Sequence, residues 1–438
     1  MHRKYGPVIR INADELHISD PNYYNQLYAS SRRKVDKWAP MVASYTIPES
    51  SVATVDHDLH RLRRGILSPY FSKASITQLE PIIGERIDRL CERLGDCAGR
   101  DEVVSLDAAF SALTTDVITR YFFGAHDDNV GRPGFVHPLQ EAILGLTGAF
   151  QFTRLFPNLA AAAKSLPLWL IELVQPKMAH LLRWQGELLR NIEASVRDGS
   201  SDTKEKSVIL SAFRDPAVPA GQKSIPRLVD EGMLFLIAGS ETTARVLSRI
   251  TFQLLEDKSL LGRLREELAD LKTRSGGLYS AVELERLPLL SAVITEGVRL
   301  SHGVLIRLPR VARLESLQYG DMSIPPGTPV STISYFVHTD ASVFPDPMKF
   351  DPDRWFRAQQ EGVNLSKFVV SFSKGSRQCL GINMAYAEMY LTIARIVTQF
   401  DMSLFETTAQ DLEMHHARVV GYPKQGLGEV KVRIASRD

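Results

Sequence analysis

Cys379 stands in the string Phe372-Ser373-Lys374-Gly375-Ser376-Arg377-Gln378-Cys379-Leu380-Gly381, and an apolar, helix-forming stretch, 382–397, begins straight after it. A cysteine about to enter a helix N-terminus meets backbone N–H groups and the positive end of the helix dipole, and both stabilise a thiolate. Gly375 and Gly381 allow tight turns and close approach of the backbone to something flat or bulky. Arg377 adds a fixed positive charge two residues before the sulfur. No second cysteine or histidine lies at zinc-site spacing from it. A solitary thiolate suits the single axial ligand of a haem iron, where it pushes electron density toward O–O cleavage. For an isolated cysteine the plain alternative is a buried structural thiol.

Two further strings carry chemistry. In Leu234-Phe235-Leu236-Ile237-Ala238-Gly239-Ser240-Glu241-Thr242-Thr243 an apolar helical pattern, starting near Ile225, turns abruptly small and then polar. Small side chains leave room for a diatomic ligand against a helix. A threonine hydroxyl can hydrogen-bond it and a neighbouring carboxylate can relay protons. In Asp56-His57-Asp58-Leu59-His60-Arg61-Leu62-Arg63-Arg64, His60 and Arg64 are four apart, so they share one helical face and can meet anionic carboxylates. Taken singly, the first string reads as a polar turn and the second as a basic surface helix.

Together the three strings resemble the cytochrome P-450 monooxygenases. Phe-x-x-Gly-x-Arg-x-Cys-x-Gly is met by Phe372, Gly375, Arg377, Cys379 and Gly381. Ala-Gly-x-Glu-Thr-Thr is met by Ala238, Gly239, Glu241, Thr242 and Thr243, and His-x-x-x-Arg by His60 and Arg64. The resemblance implies a haem b site with Cys379 as iron ligand. His60, Arg64 and Arg310 would serve the haem propionates, with Arg307 as a rival to Arg310. Thr242 would be the proton-delivery alcohol and Glu241 its acidic neighbour. It also implies a Glu296–Arg299–Arg354 cluster bracing the cysteine loop, taken from Glu296-Gly297-Val298-Arg299 and Phe350-Asp351-Pro352-Asp353-Arg354-Trp355. Glu283-Leu284-Glu285-Arg286 has the same spacing as the first of these, but only Glu296 and Arg299 sit between an apolar face and the strand-like stretch 304–311. Asp353, Trp355 and Ser371 depart from the family's commonest residues, Ser371 standing where proline is frequent.

The elements that must position these groups follow the same resemblance. Residues 1–30 read as a small sheet with a short helix opened by Asp20-Pro21, and 31–56 as a loop walling the substrate pocket. Cys91 and Cys97 sit near the end of a helical stretch and read as structural. Pro157 and Pro167 break up 149–176, an apolar stretch that is either core or a loop dipping into a membrane surface. Residues 198–226 read as a surface connector, and the tip at 418–421 as a contact for substrate. Arg61 and Arg63 point away from His60 and could dock an acidic redox partner.

Composition fits this picture. Across 438 residues, Lys plus Arg (52) nearly balance Asp plus Glu (51), so no global field favours nucleic acid. Three cysteines form no disulfide framework, which fits a reducing compartment. No run reaches membrane-span length, and Met1-His2-Arg3-Lys4-Tyr5-Gly6-Pro7 resembles the point where microsomal relatives begin their globular part.

The reading that results is one mainly α-helical domain, 1–438, with small β-sheets, and haem between the Glu241–Thr242 helix and the Cys379 loop. It would act as a monomer, soluble as given, with the natural protein on the cytosolic face of the endoplasmic reticulum. It would take electrons from an NADPH-dependent reductase and insert one atom of O2 into a lipophilic molecule. Resemblance to filamentous-fungal members suggests a terpenoid or polyketide. A haem-thiolate isomerase or dehydratase needing no reductase, and a non-catalytic haem-binding protein, remain alternatives.

Overall fold

Ile225–Glu256 forms a 32-residue helix that runs through the middle of the molecule, roughly 48 Å long at 1.5 Å per residue. Pro226 in its first turn costs no hydrogen bond, since the leading N–H groups of a helix have no partner inside it. The computed structural model describes the chain except residues 29–32, 125–126, 157, 159–161, 163–165, 199–206, 276–278, 425–427 and 438. Pro157 and most of the 160–163 alanines therefore lie outside the described residues, as does 199–206 of the expected connector.

The central helix packs along Leu106–Phe123. That helix is opened by Ser105, whose side chain accepts from the Ala108 N–H, and closed by Gly124 in the left-handed conformation at φ 65°. Its polar residues are buried but satisfied locally: the Thr114 hydroxyl donates to the carbonyls of Phe110 and, across the helix interface, Ser240. Lys73–Ala98 presents Ile76, Leu79, Ile83, Ile87, Leu90 and Leu94 at helical spacing, and all are buried in the main core. Cys91 and Cys97 are buried on this helix, and burial pushes the Cys91 thiol up to about 12, as befits an inert packing residue. Ile382–Gln399 packs against both Lys73–Ala98 and the central helix.

A mixed five-stranded sheet has the order Val8–Arg10, Leu16–Ile18, Pro329–Ser331, Arg310–Val311, Asp36–Lys37. Its outer register sets Lys37 opposite Arg310. A three-stranded sheet joins Val104–Ser105, Lys431–Ser436 and Phe400–Leu404, and two hairpins complete the strands described. The result is mainly α with small sheets, as expected. One stretch differs from the expected surface connector: Val208–Arg214 is a helix, because Val208, Ile209, Ala212 and Phe213 give it an apolar face that is buried.

The Glu296–Arg299–Arg354 cluster forms, fully buried, with Glu296 Oε1 2.7 Å from Arg299 Nη2 and 3.0 Å from Arg354 Nε. It does not touch the cysteine loop. Arg299 donates to the carbonyls of His338, Pro347 and Lys349, and Arg354 to those of Pro345, Asp346 and Lys349, so the cluster pins the meander 338–351. It reaches the loop one step removed, through His338 Nε2, which accepts the Val370 N–H at 2.9 Å and belongs to a ring kept neutral by burial. Glu283, of the rival pair, instead closes a capping box with Ser280.

A direct brace comes from the departure at Ser371, whose hydroxyl donates to the Val298 carbonyl at 2.6 Å. Beside it Gly303 has φ +64°, and a Cβ there would stand 2.2 Å from the Ser371 carbonyl oxygen. Backbone is the obstacle, so no rotamer change relieves it. Gly303→Ala is expected to lower stability by about 1–3 kcal/mol, the usual range for overpacking, measurable as an earlier thermal midpoint. An unchanged midpoint would mean that the two segments separate freely.

Candidate functional site

A cavity of about 690 Å³ opens between the central helix, the Cys379 loop and the 31–56 loop. Cys379, Phe372, Gly381, Ala238, Glu241, Thr242, His60, Arg64, Arg310 and Arg377 all line it, so the structure gathers residues separated by up to 321 positions in sequence. Gly375 is not on the lining; it turns the loop, at φ 69°.

The cysteine loop is closed by its own backbone, the Cys379 N–H donating to the Phe372 carbonyl at 2.8 Å. Ser373 joins Gly375 in the left-handed region at φ 56°, while Gly381 does not, at φ −83°; what Gly381 supplies is a backbone N–H toward the sulfur. The sulfur is open to the cavity but shut off from bulk water. That burial pushes the thiol up, and the Gly381 N–H and Arg64 pull it back. A thiolate there requires a cation against the sulfur, as a coordinated metal would supply. Arg377 is not the charge that serves it, because its guanidinium turns away to the carbonyls of Thr54, Val55 and Asp56. Arg64 is the nearer one, donating to the Gln378 carbonyl at 2.6 Å.

One end of the cavity is crowded with cationic side chains. His60 and Arg64 face it from His57–Leu67, Arg310 from its strand, Arg377 from the loop, and with them Lys37. Burial lowers His60, and Arg377, Lys37, Arg64 and Arg310 lower it further. Burial and Arg310 likewise bring Arg377 down to about 9, and burial with Arg310 and Arg377 holds Lys37 well below its usual range. His60 Nδ1 and Arg377 Nε are buried without a partner. So much positive charge, with orphaned donors, calls for a ligand that brings carboxylates. Arg307, the rival to Arg310, pairs with Glu15 at 3.8 Å and is not on the lining. Arg63 is no docking residue either: it is buried and donates to the Glu49 carbonyl and Thr54.

Along the central helix, Ala238 and Gly239 give the cavity a low wall. Gly239 is also needed for packing, since a Cβ would stand 2.9 Å from Ile118. The Thr242 hydroxyl donates to the Ala238 carbonyl at 2.9 Å, leaving its oxygen free to accept. Glu241 is buried and directed to Arg245. Burial raises its carboxyl to about 7 against the pull of Arg245. Another part of the lining is apolar: Tyr45 and Ile47 from the 31–56 loop, Phe150, Ile306, and Val419 and Val420 from the hairpin tip, with Lys37 Nζ 5.7 Å from the Tyr45 ring centre. Both the loop wall and the tip thus lie where the sequence placed them.

Among the lining residues that escaped sequence reasoning, three bear on the chemistry. Lys37 belongs to a two-residue strand with no motif around it. Glu388 is buried on Ile382–Gln399, hydrogen-bonded to Thr243 and raised by burial to about 8. Arg245 could have been found, one helical turn beyond Glu241.

Fold, cysteine loop and cation-ringed cavity define a haem-thiolate protein, and the chain belongs to the cytochrome P450 family, whose model matches residues 1–427. It is 45% identical to the cytochrome P450 monooxygenase TRI4 of Trichoderma arundinaceum, over 100% of this chain and 86% of that protein. It is also 45% identical to the monooxygenase astB of Aspergillus terreus (99% and 86%) and 44% identical to pbrB of Penicillium brasilianum (99% and 86%). The chain is therefore an oxidoreductase of the monooxygenase class that uses haem b and O2, with electrons from a reductase. Among the described residues no helix is long and apolar enough to cross a membrane.

Proposed function

We propose that Cys379 is the axial iron ligand and that His60, Arg64, Arg310 and Arg377, joined by Lys37, hold the haem carboxylates. The whole chain is then one haem domain acting as a monomer. The observation that carries this reading is the pairing of an isolated, cavity-facing sulfur with a cluster of Arg and Lys side chains around His60, in which His60 Nδ1 and Arg377 Nε have no partner. When bound, haem b supplies the reductive activation of O2. The protein's own part is to place substrate and protons. The Thr242 hydroxyl accepts a hydrogen bond at the cavity wall or donates one, and Glu241, near neutrality, takes up and releases protons behind it.

Apolar walls around Tyr45, Ile47, Phe150 and Ile306 favour a neutral, lipophilic substrate, and a fungal terpenoid or polyketide fits both the lining and the kinship. The electron donor is an NADPH-dependent flavoprotein reductase. Phe152, Leu155, Phe156, Trp169 and Leu173 are exposed together around the helices Pro138–Leu155 and Leu168–Val174, which supports the membrane-surface alternative for this stretch over core packing. That surface would be the cytosolic face of the endoplasmic reticulum.

The test is turnover of a terpenoid and polyketide panel under ¹⁸O₂ with reductase and NADPH. One labelled oxygen per product is expected. Unlabelled product formed without NADPH would establish an isomerase or dehydratase instead. Once a substrate is found, Thr242→Ala should keep consuming NADPH while product per NADPH falls by about tenfold or more and hydrogen peroxide rises, as loss of a positioned proton donor predicts. Unchanged coupling would remove Thr242 from proton delivery.

A further inference from the structure

The acid beside Thr242 is not held by its own helix alone. Glu241 Oε1 lies 3.4 Å from Arg245 Nη1, and the two residues are only 6% and 8% exposed. Beyond that contact Arg245 reaches the C-terminal hairpin, strands His416–Ala417 and Gly421–Tyr422. Its Nη2 donates to the Gly421 carbonyl at 3.0 Å, and its guanidinium stands 4.4 Å from the centre of the Tyr422 ring. Arg418 lies 4.6 Å from the same ring. Tyr422 is completely buried, and its hydroxyl is 3.4 Å from Thr147 Oγ1, on the helix Pro138–Leu155 that covers the cavity. A Cβ on Gly421 would stand 2.8 Å from the Met414 sulfur, so a side chain there would have to displace Met414.

An ion pair one turn apart on an exposed helix contributes little. A buried one is different, because desolvation of both charges must be offset by further hydrogen bonds in good geometry. Here the carbonyl and the aromatic face supply them, and they come from another element. We propose that Arg245 is the positioning residue for Glu241, with the 416–422 hairpin fixing the guanidinium that aims and charges the carboxyl. The proposal rests on the reading of Glu241 as the proton-handling acid.

The charged groups around Glu241 make the sign clear. On its own helix stand Arg245 and, a further turn on, Arg249. Asp107 faces it from Leu106–Phe123, and Tyr422 and Arg418 from the hairpin. Burial and Asp107 raise the carboxyl, while Arg245 lowers it. Removing Arg245 takes away the main lowering influence and leaves burial and Asp107 to raise the carboxyl, so the protonated acid persists to higher pH.

The ferric haem-loaded protein, without substrate, is titrated while the carboxylic-acid C=O absorption is followed by difference infrared spectroscopy, with Glu241→Gln marking the band. Arg245→Met is expected to move the midpoint up by about 1–3 pH units, the effect of an opposite charge at this range. Arg245→Lys should recover much of that shift. Tyr422→Leu, which alters no charge on the helix, should move the midpoint the same way by less. An unmoved midpoint in Arg245→Met overturns the proposal. If that variant does not fold, an unmoved midpoint in Tyr422→Leu overturns it instead. Should Glu241→Gln leave peroxide release and product per NADPH unchanged, it is the proton role of Glu241 that fails, whatever the midpoints do.

Discussion

Cys379→Ser is expected to abolish the strongly red-shifted Soret band of the dithionite-reduced, carbon monoxide-treated protein, and monooxygenase turnover with it. The loop itself should survive the change. Its closure depends on backbone, the Cys379 N–H to the Phe372 carbonyl, on Phe372 against Tyr386 at 5.3 Å, and on Ser371 bound to Val298. What is lost is a sulfur that the Gly381 N–H and Arg64 favour as an anion. A serine hydroxyl at the same place is a far weaker acid and a hard, poorly donating ligand. Haem binding should weaken without vanishing, since the cations that line the cavity are untouched. If the band persists in the serine variant, Cys379 is not the ligand. If the wild type shows an imidazole-type band, the thiolate reading falls altogether.

The serine variant also shows how far the site was legible in sequence. Local strings carried the residues whose chemistry is set by near neighbours: the Cys379 loop ahead of its helix, the Ala238–Thr243 run, and His60 with Arg64 one turn apart. Groups whose meaning depends on tertiary neighbours were invisible or misread. Arg377 looked like the charge for the sulfur because it is close in sequence, but the chain turns at Gln378 and carries its guanidinium to carbonyls 54–56. Lys37 reaches the cations only because its short strand pairs with the strand of Arg310. Ser371 stood out in sequence only as a departure from a frequent proline, and it is a hydrogen-bonded anchor. The helix Val208–Arg214 hid because it is only seven residues long and is set between polar residues on both sides in sequence.

The largest effect on stability is expected at Glu296. Glu296→Ala takes the only carboxylate out of a cluster in which Glu296 and Arg299 are completely buried and Arg354 is 3% exposed. Two guanidiniums then remain in the interior without their counter-ion, and removing one partner of a buried pair typically costs about 3–5 kcal/mol. The carbonyls of 338 and 345–349 still accept from Arg299 and Arg354, which limits the loss to that range rather than more. The Asp351 N–H, which donates to Glu296 Oε1 at 3.0 Å, loses its acceptor as well. Urea unfolding of the haem-loaded protein measures the difference directly. A loss below about 1 kcal/mol would place the cluster with ordinary surface pairs and contradict its burial. The carbon monoxide spectrum of the fraction that folds then locates the cluster's influence. Because it pins the meander 338–351 and meets the cysteine loop only through His338 and Val370, the molecules that fold should keep the thiolate band. A band lost in step with the ion pair would mean that the loop's geometry is set by the cluster itself, and not by Ser371 on Val298.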